Sequence, residues 1–97
     1  MRVIARKALR LFWEKHPDAE RPLRAWFAEV RTALWDSGAD IKSRYCAASV
    51  LKGGRVVFNI RGNRYRLVAR LDYRRRIVFI RFVGTHEEYN RVDAETI

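Results

Sequence analysis

His86 and Tyr89 stand three residues apart in Gly84-Thr85-His86-Glu87-Glu88-Tyr89, beside two acids and directly after a hydrophobic run. An imidazole titrates near neutrality, and His16 is the only other one in the chain. A tyrosine hydroxyl can hold a proton, and its ring can stack on a base. Arg66, in Arg64-Tyr65-Arg66-Leu67, has the planar fork that suits a phosphate. Together these are the parts that RNA cleavage without a metal requires. A base takes the proton from a 2′-hydroxyl, an acid protonates the leaving 5′-oxygen, and cations hold the charge of the phosphorane. Each residue also has a plainer reading: His86 as an ordinary first residue of a helix, Arg66 as a solvated strand position, Tyr89 as a ring packed on a sheet.

Other chemistries lack their parts. Two His and one Cys are too few for a structural zinc set. Cys46 has no base or orienting group beside it in sequence that would make it a nucleophile. Gly53-Gly54 precedes a strand pattern rather than a helix, so no phosphate-cradling loop is expected, and neither is a metal or cofactor. The single Cys cannot form an internal disulfide, which suits a reducing cytosol. No apolar run approaches the roughly 20 residues of a membrane helix, and the charged, apolar-interleaved N-terminus does not resemble a signal peptide. A cytoplasmic location away from membranes is therefore expected.

Charge points to the partner. There are 21 Lys and Arg against 11 Asp and Glu, a formal net charge of +10. Such an excess, mostly arginine, favours a polyanion such as RNA, DNA or a ribosome, or an acidic protein. At 97 residues and 48% hydrophobic composition, the chain is expected to form one domain, residues 1–97, with a modest core.

The elements that would position these residues follow from periodicity. Met1 to Ile4 suggests a short edge strand. Ile4, Ala8, Leu11 and Phe12 then fall on one face of a helix that His16-Pro17 ends. Asp18 is placed to cap a second helix, with Leu23, Trp26, Phe27, Val30 and Leu34 on its apolar face. Residues 37–54 read as an irregular connection, with a short strand at Ala48 to Leu51. After Gly54 the period becomes two. Val56, Phe58 and Ile60 share one face, and Gly62-Asn63 suits a tight type II′ turn. Tyr65, Leu67, Ala69 and Leu71 oppose Arg64, Arg66, Val68 and Arg70. Ile77 to Val83 is apolar on both faces and is expected to be the most buried strand. Thr85, with Glu88 three residues on, forms a capping box for a last short helix. The expected fold is α+β: two N-terminal helices packed on one face of a small antiparallel sheet, with a short C-terminal helix. The other face is expected to be open, with Arg66, Arg70 and Arg64 on it. Asn59, Arg61 and Asn63 would extend this RNA-binding set around the catalytic candidates His86, Arg66 and Tyr89.

The segment RVVFNIRGNRYRLVARLDYRRRIVFIRFVGTHEEYNRV resembles the C-terminal half of HigB toxins, members of the RelE-like mRNA interferases, and MRVIARKALRLFWEKHPDAERPLRAWF resembles the same family's opening. The resemblance implies the toxin of a type II toxin–antitoxin pair. Such a toxin cuts messenger RNA during translation in the ribosome, contacts ribosomal RNA, and is held in check by a helix-turn-helix, HigA-like antitoxin. RelE toxins carry a Tyr-Arg pair in the middle strand, whose Arg contacts the scissile phosphate; Tyr65-Arg66 occupies that place. A basic residue follows their Val-Gly, and His86 falls there after Val83-Gly84. Tyr89 stands for the C-terminal Tyr, earlier than in RelE. RelE's two lysines are replaced by Val57 and Asn59, so the general base is open between His86, Tyr89 and the ribosome. A non-catalytic RNA- or ribosome-binding module, or a RelE-fold toxin with another target, are the alternatives.

Overall fold

A computed structural model describes residues Met1–Ile97. The chain begins with β1 (Arg2–Ile4) and α1 (Lys7–Lys15), then a 3₁₀ turn at Pro17–Ala19 and α2 (Glu20–Thr32). A short helix α3 (Gly38–Arg44) and strand β2 (Ser49–Val50) follow. The chain ends in the meander β3 (Arg55–Ile60), β4 (Tyr65–Asp72), β5 (Ile77–Thr85) and the one-turn helix α4 (His86–Tyr89). The architecture is α+β, as expected. The helices carry the chain from β1 at one sheet edge to β2 at the other, and the meander returns it. The strand order is β1-β5-β4-β3-β2. Returning beside its own start makes β1 parallel to β5, through Arg2↔Ile77 to Ile4↔Phe79, so the sheet is mixed rather than wholly antiparallel.

The main core lies between the sheet and the helices. Leu9, Phe12, Leu23, Trp26 and Val30 meet Val56, Phe58, Ile60, Tyr65, Leu67, Ala69 and Leu71. Phe58 is its hub. Trp26 meets it edge-on at 5.4 Å, Tyr45 edge-on at 5.3 Å, and Trp35 stacks at 6.3 Å. Trp35, Ile41, Tyr45 and Ala48 reach the core from the segment that reads as irregular, which is in fact half helical. The strand expected within it shrinks to Ser49–Val50.

The buried stripe of α1 is Leu9 and Phe12, one position round from the expected one, and Leu11 is 50% exposed. Leu34 lies beyond the end of α2 and is exposed, because the chain leaves the helix at Thr32 and Trp35 takes the core position. Pro22 is tolerated in the first turn of α2, where its missing N–H has no helical acceptor. Asp18 makes no cap for α2. It sits inside the 3₁₀ turn with its carboxylate aimed elsewhere.

β4, not β5, is the most buried strand. Only the first three residues of β5 pair with β1, so from Ile80 onward β5 is a sheet edge. A bulge at Val68/Ala69 leaves Arg81 unpaired, since Val68 faces Phe82 and Ala69 faces Ile80. The bulge shifts the alternation by one residue. Phe79 and Phe82 therefore both stand on the face away from the helices, and this explains a strand that looks apolar on both sides.

Candidate active site at the end of the β4–β5 pair

The β3–β4 ladder stops at Ile60↔Tyr65, leaving a four-residue loop rather than the two-residue one expected. Its turn is closed by Arg64 N–H donating to Arg61 O at 3.2 Å, and Gly62 has φ 62°, which glycine adopts freely. Arg61 also has a positive φ of 53°. On the far side of β4, Gly84 pairs with Arg66 and Thr85 with Tyr65. A Cβ at Gly84 would lie 2.5 Å from the Phe82 ring of the same strand, so glycine leaves the room that ring occupies. The capping box at Thr85 forms as expected: Glu88 N–H donates to Thr85 Oγ1 at 3.1 Å, and Thr85 N–H donates to Glu88 Oε1 at 2.8 Å. Those hydrogen bonds, with Thr85's backbone first, hold the Glu88 carboxyl below its ordinary range. His86 is thereby set as the first residue of α4, its backbone N–H donating to Arg64 O at 3.1 Å.

Alternation along β4 sends Tyr65 and Arg66 to opposite faces. Arg66 donates to Asn63 O at 3.0 Å and to Asn63 Oδ1, and its guanidinium lies 5.8 Å from the Tyr89 ring centre. Asn59 is its cross-strand partner. Arg70 lies over Phe79 at 4.8 Å. Neither Arg66 nor Arg70 is paired with a carboxylate. Arg66, Tyr89, Asn59, Asn63 and Arg70 thus lie on one side of the sheet.

That face is not open, however. Val57, Val68 and Ala94 form a second small buried cluster, with Leu51, Phe82, Tyr89 and Ile97 packed on it. Arg55 and Arg81 donate to Ile97 O at 2.8 and 3.3 Å. The segment after α4 therefore folds back over the sheet. The signal for it was present. Val57, Val68 and Phe82 need a cover, and Val92, Ala94 and Ile97 can supply apolar side chains.

The other side of the same strand end holds a different group. Tyr65 donates its hydroxyl to Asp18, and Arg61 and Arg64 flank that carboxylate at 3.0 and 3.4 Å. The Tyr65 hydrogen bond above all, with the two guanidinium groups, holds the Asp18 carboxyl below its ordinary range. Burial, and then Asp18, push the Tyr65 hydroxyl up. Arg61 and Arg64 thus join this group rather than the face of Arg66, because the turn places both within reach of Asp18. His86 is here too. It lines an open groove of about 440 Å³ with His16, Arg64, Tyr65, Thr85 and Glu87. The three catalytic candidates are therefore divided: Arg66 and Tyr89 meet, while His86 faces His16 and Tyr65 around the end of the strands. Sequence reasoning treated His16 only as a helix stop and missed the Asp18–Tyr65 pair.

No three His, Cys, Asp or Glu side chains converge in a way that would hold a metal ion, and no helix is long and apolar enough to cross a membrane. No curated protein matches the chain with significance. A family model for the RelE-like toxic component of a toxin–antitoxin system matches residues 19–92, a span that holds the Asp18-facing turn, Arg66, His86 and Tyr89. With that match over most of the chain, on a sheet whose middle strand carries Tyr65-Arg66 and whose last strand ends in Val83-Gly84, the chain belongs to the HigB toxin family.

Proposed function

We propose that this toxin is an endoribonuclease that cuts messenger RNA held in the translating ribosome, with His86, Arg66 and Tyr89 at the cut. The observation that carries the reading is Arg66. It is a guanidinium without a carboxylate partner, fixed by Asn63 and set beside an aromatic ring at the rim of a sheet. A phosphate would take its remaining donors bidentately, and a base would stack on Tyr89. His86 stands round the same strand end and would move the proton. A strand of RNA crossing the rim would meet all three. Asn59, Asn63 and Arg70 would contact nucleotides on the Arg66 side, and Arg61 and Arg64 on the His86 side.

The net charge of +10 suits ribosomal RNA as the larger partner. A toxin of this family has an antitoxin. A helix-turn-helix protein that silences the cytoplasmic toxin is the form we infer. One observation favours a second reading. Arg66 of β4 and His86 of α4 lie on different sides of the strand end, an arrangement that a non-catalytic ribosome-binding module would tolerate. Primer extension on a translated message separates the two. The endoribonuclease produces new 5′ ends at discrete codons. Ribosome co-sedimentation with the message left whole would make the binding module correct.

A further inference from the structure

The groove beside α4 contains both imidazoles of the chain. His16 ends α1, where its backbone N–H closes the last turn on Phe12 O at 2.9 Å. Its ring stacks on Phe12 at 4.5 Å with 25° between planes and leans on Tyr65 at 5.4 Å. These are carbon-face contacts. They fix the ring's orientation, and neither ring nitrogen makes a hydrogen bond to the protein. The same holds for the ring of His86, which is exposed. Both rings line one groove with Arg64 and Thr85. Arg64 meets Asp18 through Nε at 3.4 Å, and its side chain is 61% exposed, so much of its fork is open to solvent. Nothing in the packing of α1 requires an imidazole at this position. A phenyl ring would stack equally well.

We propose that His16 is a second catalytic imidazole, paired with His86 across this groove, with Arg64 holding the phosphate. The inference rests on the endoribonuclease reading. In the step, the 2′-oxygen attacks phosphorus and its proton passes to one imidazole. The bond from phosphorus to the 5′-oxygen breaks, and that oxygen takes a proton from the other imidazole, present as imidazolium. The products are a 2′,3′-cyclic phosphate and a 5′-hydroxyl, and no co-reactant is consumed. Two imidazoles lining one groove can share these roles, one accepting a proton and the other donating one. The apparent pKa values then belong to the pair.

The titratable and charged groups around the two rings are Glu14 and Lys15 of α1, Asp18 of the 3₁₀ turn, Arg61 and Arg64 of the β3–β4 turn, Tyr65 of β4, Arg81 of β5, and Glu87 and Glu88 of α4. Glutamate, lysine and arginine ordinarily titrate outside pH 5 to 8. A limb of the pH–rate profile in that window is assigned to His16 only if it disappears in the His16 variants.

The test is single-turnover cleavage of a ribosome-bound message by the wild type and His16→Phe between about pH 5 and 8. Thermal melts and ribosome co-sedimentation run alongside. The phenyl ring keeps the stack on Phe12 and Tyr65, so the melt and the binding should stay close to wild type. Cleavage should fall about 10²–10⁴-fold, and one limb of the profile should vanish. His16→Gln, which lacks the ring but keeps a polar side chain, should be equally slow. If His16→Phe cleaves within a few-fold of wild type with both limbs intact, the pairing is overturned while the endoribonuclease reading stands. If wild type itself leaves the message whole, that reading fails, and the pairing with it.

Discussion

The two faces of the sheet use the same strands for opposite ends. On one, Phe58, Leu67 and Ala69 are sealed under α1 and α2, with aromatic rings on several sides. On the other, Val57, Val68 and Ala94 make a cluster of only three buried residues, closed by the segment after α4 and fringed by Arg55, Arg66, Arg70 and Arg81. Neighbouring residues of one strand, Val57 and Phe58, therefore belong to regions of different purpose. The first face stabilises the fold. The second is held together just enough to keep a row of cations in place. A sheet whose alternation separates these tasks can carry many unneutralised guanidinium groups without burying any of them in the core.

The contrast predicts unequal costs. Phe58→Ala should remove about 3–5 kcal/mol of stability in urea unfolding, because it empties the hub of the aromatic cluster. Val57→Ala, one residue away, removes two methyl groups and should cost about 2 kcal/mol. Equal losses would mean that the second cluster is as much a core as the first, and the division of labour would collapse. Arg66→Ala should leave the melt unchanged and lower message cleavage about 10²–10³-fold, the usual cost of removing one charge-stabilising donor. A large fall in stability instead would make Arg66 a structural residue.

A smaller effect concerns the turn. The Asp18 carboxyl is held below the ordinary aspartate range, first by the Tyr65 hydroxyl and then by Arg61 and Arg64. A folded-state pKa below the unfolded one contributes stability above the ordinary aspartate value, about 3.9, and loses it as pH falls through the lowered value. Asp18→Asn should therefore narrow the drop in melting temperature between neutral pH and about pH 3. An undiminished drop would show that the cluster at the strand end contributes nothing to folding.

Period-two alternation made the Tyr65/Arg66 division legible in sequence, and Thr85 with Glu88 made the capping box legible. The neighbourhood of Arg66, Asn63 and Tyr89 followed from these local rules. What escaped was set by distant contacts. Asp18 looks like a cap until Tyr65, far along the chain, takes its carboxylate. His16 looks like a helix stop until the turn brings His86 to its groove. The cover formed by residues 90–97 depends on Arg55 and Arg81 reaching Ile97. The bulge that hides the alternation of β5 also has no marker in Ile77 to Val83.

The most direct test of the whole account is His86→Gln in a translating system, measured by primer extension and by ribosome co-sedimentation on the same preparation. His86 is exposed and contributes only backbone groups to the fold, so the variant should melt as wild type does. Loss of proton transfer should lower cleavage about 10²–10⁴-fold, while ribosome binding, spread over many cations, stays within a few-fold. Cleavage at the wild-type rate by a folded His86→Gln protein would contradict the account.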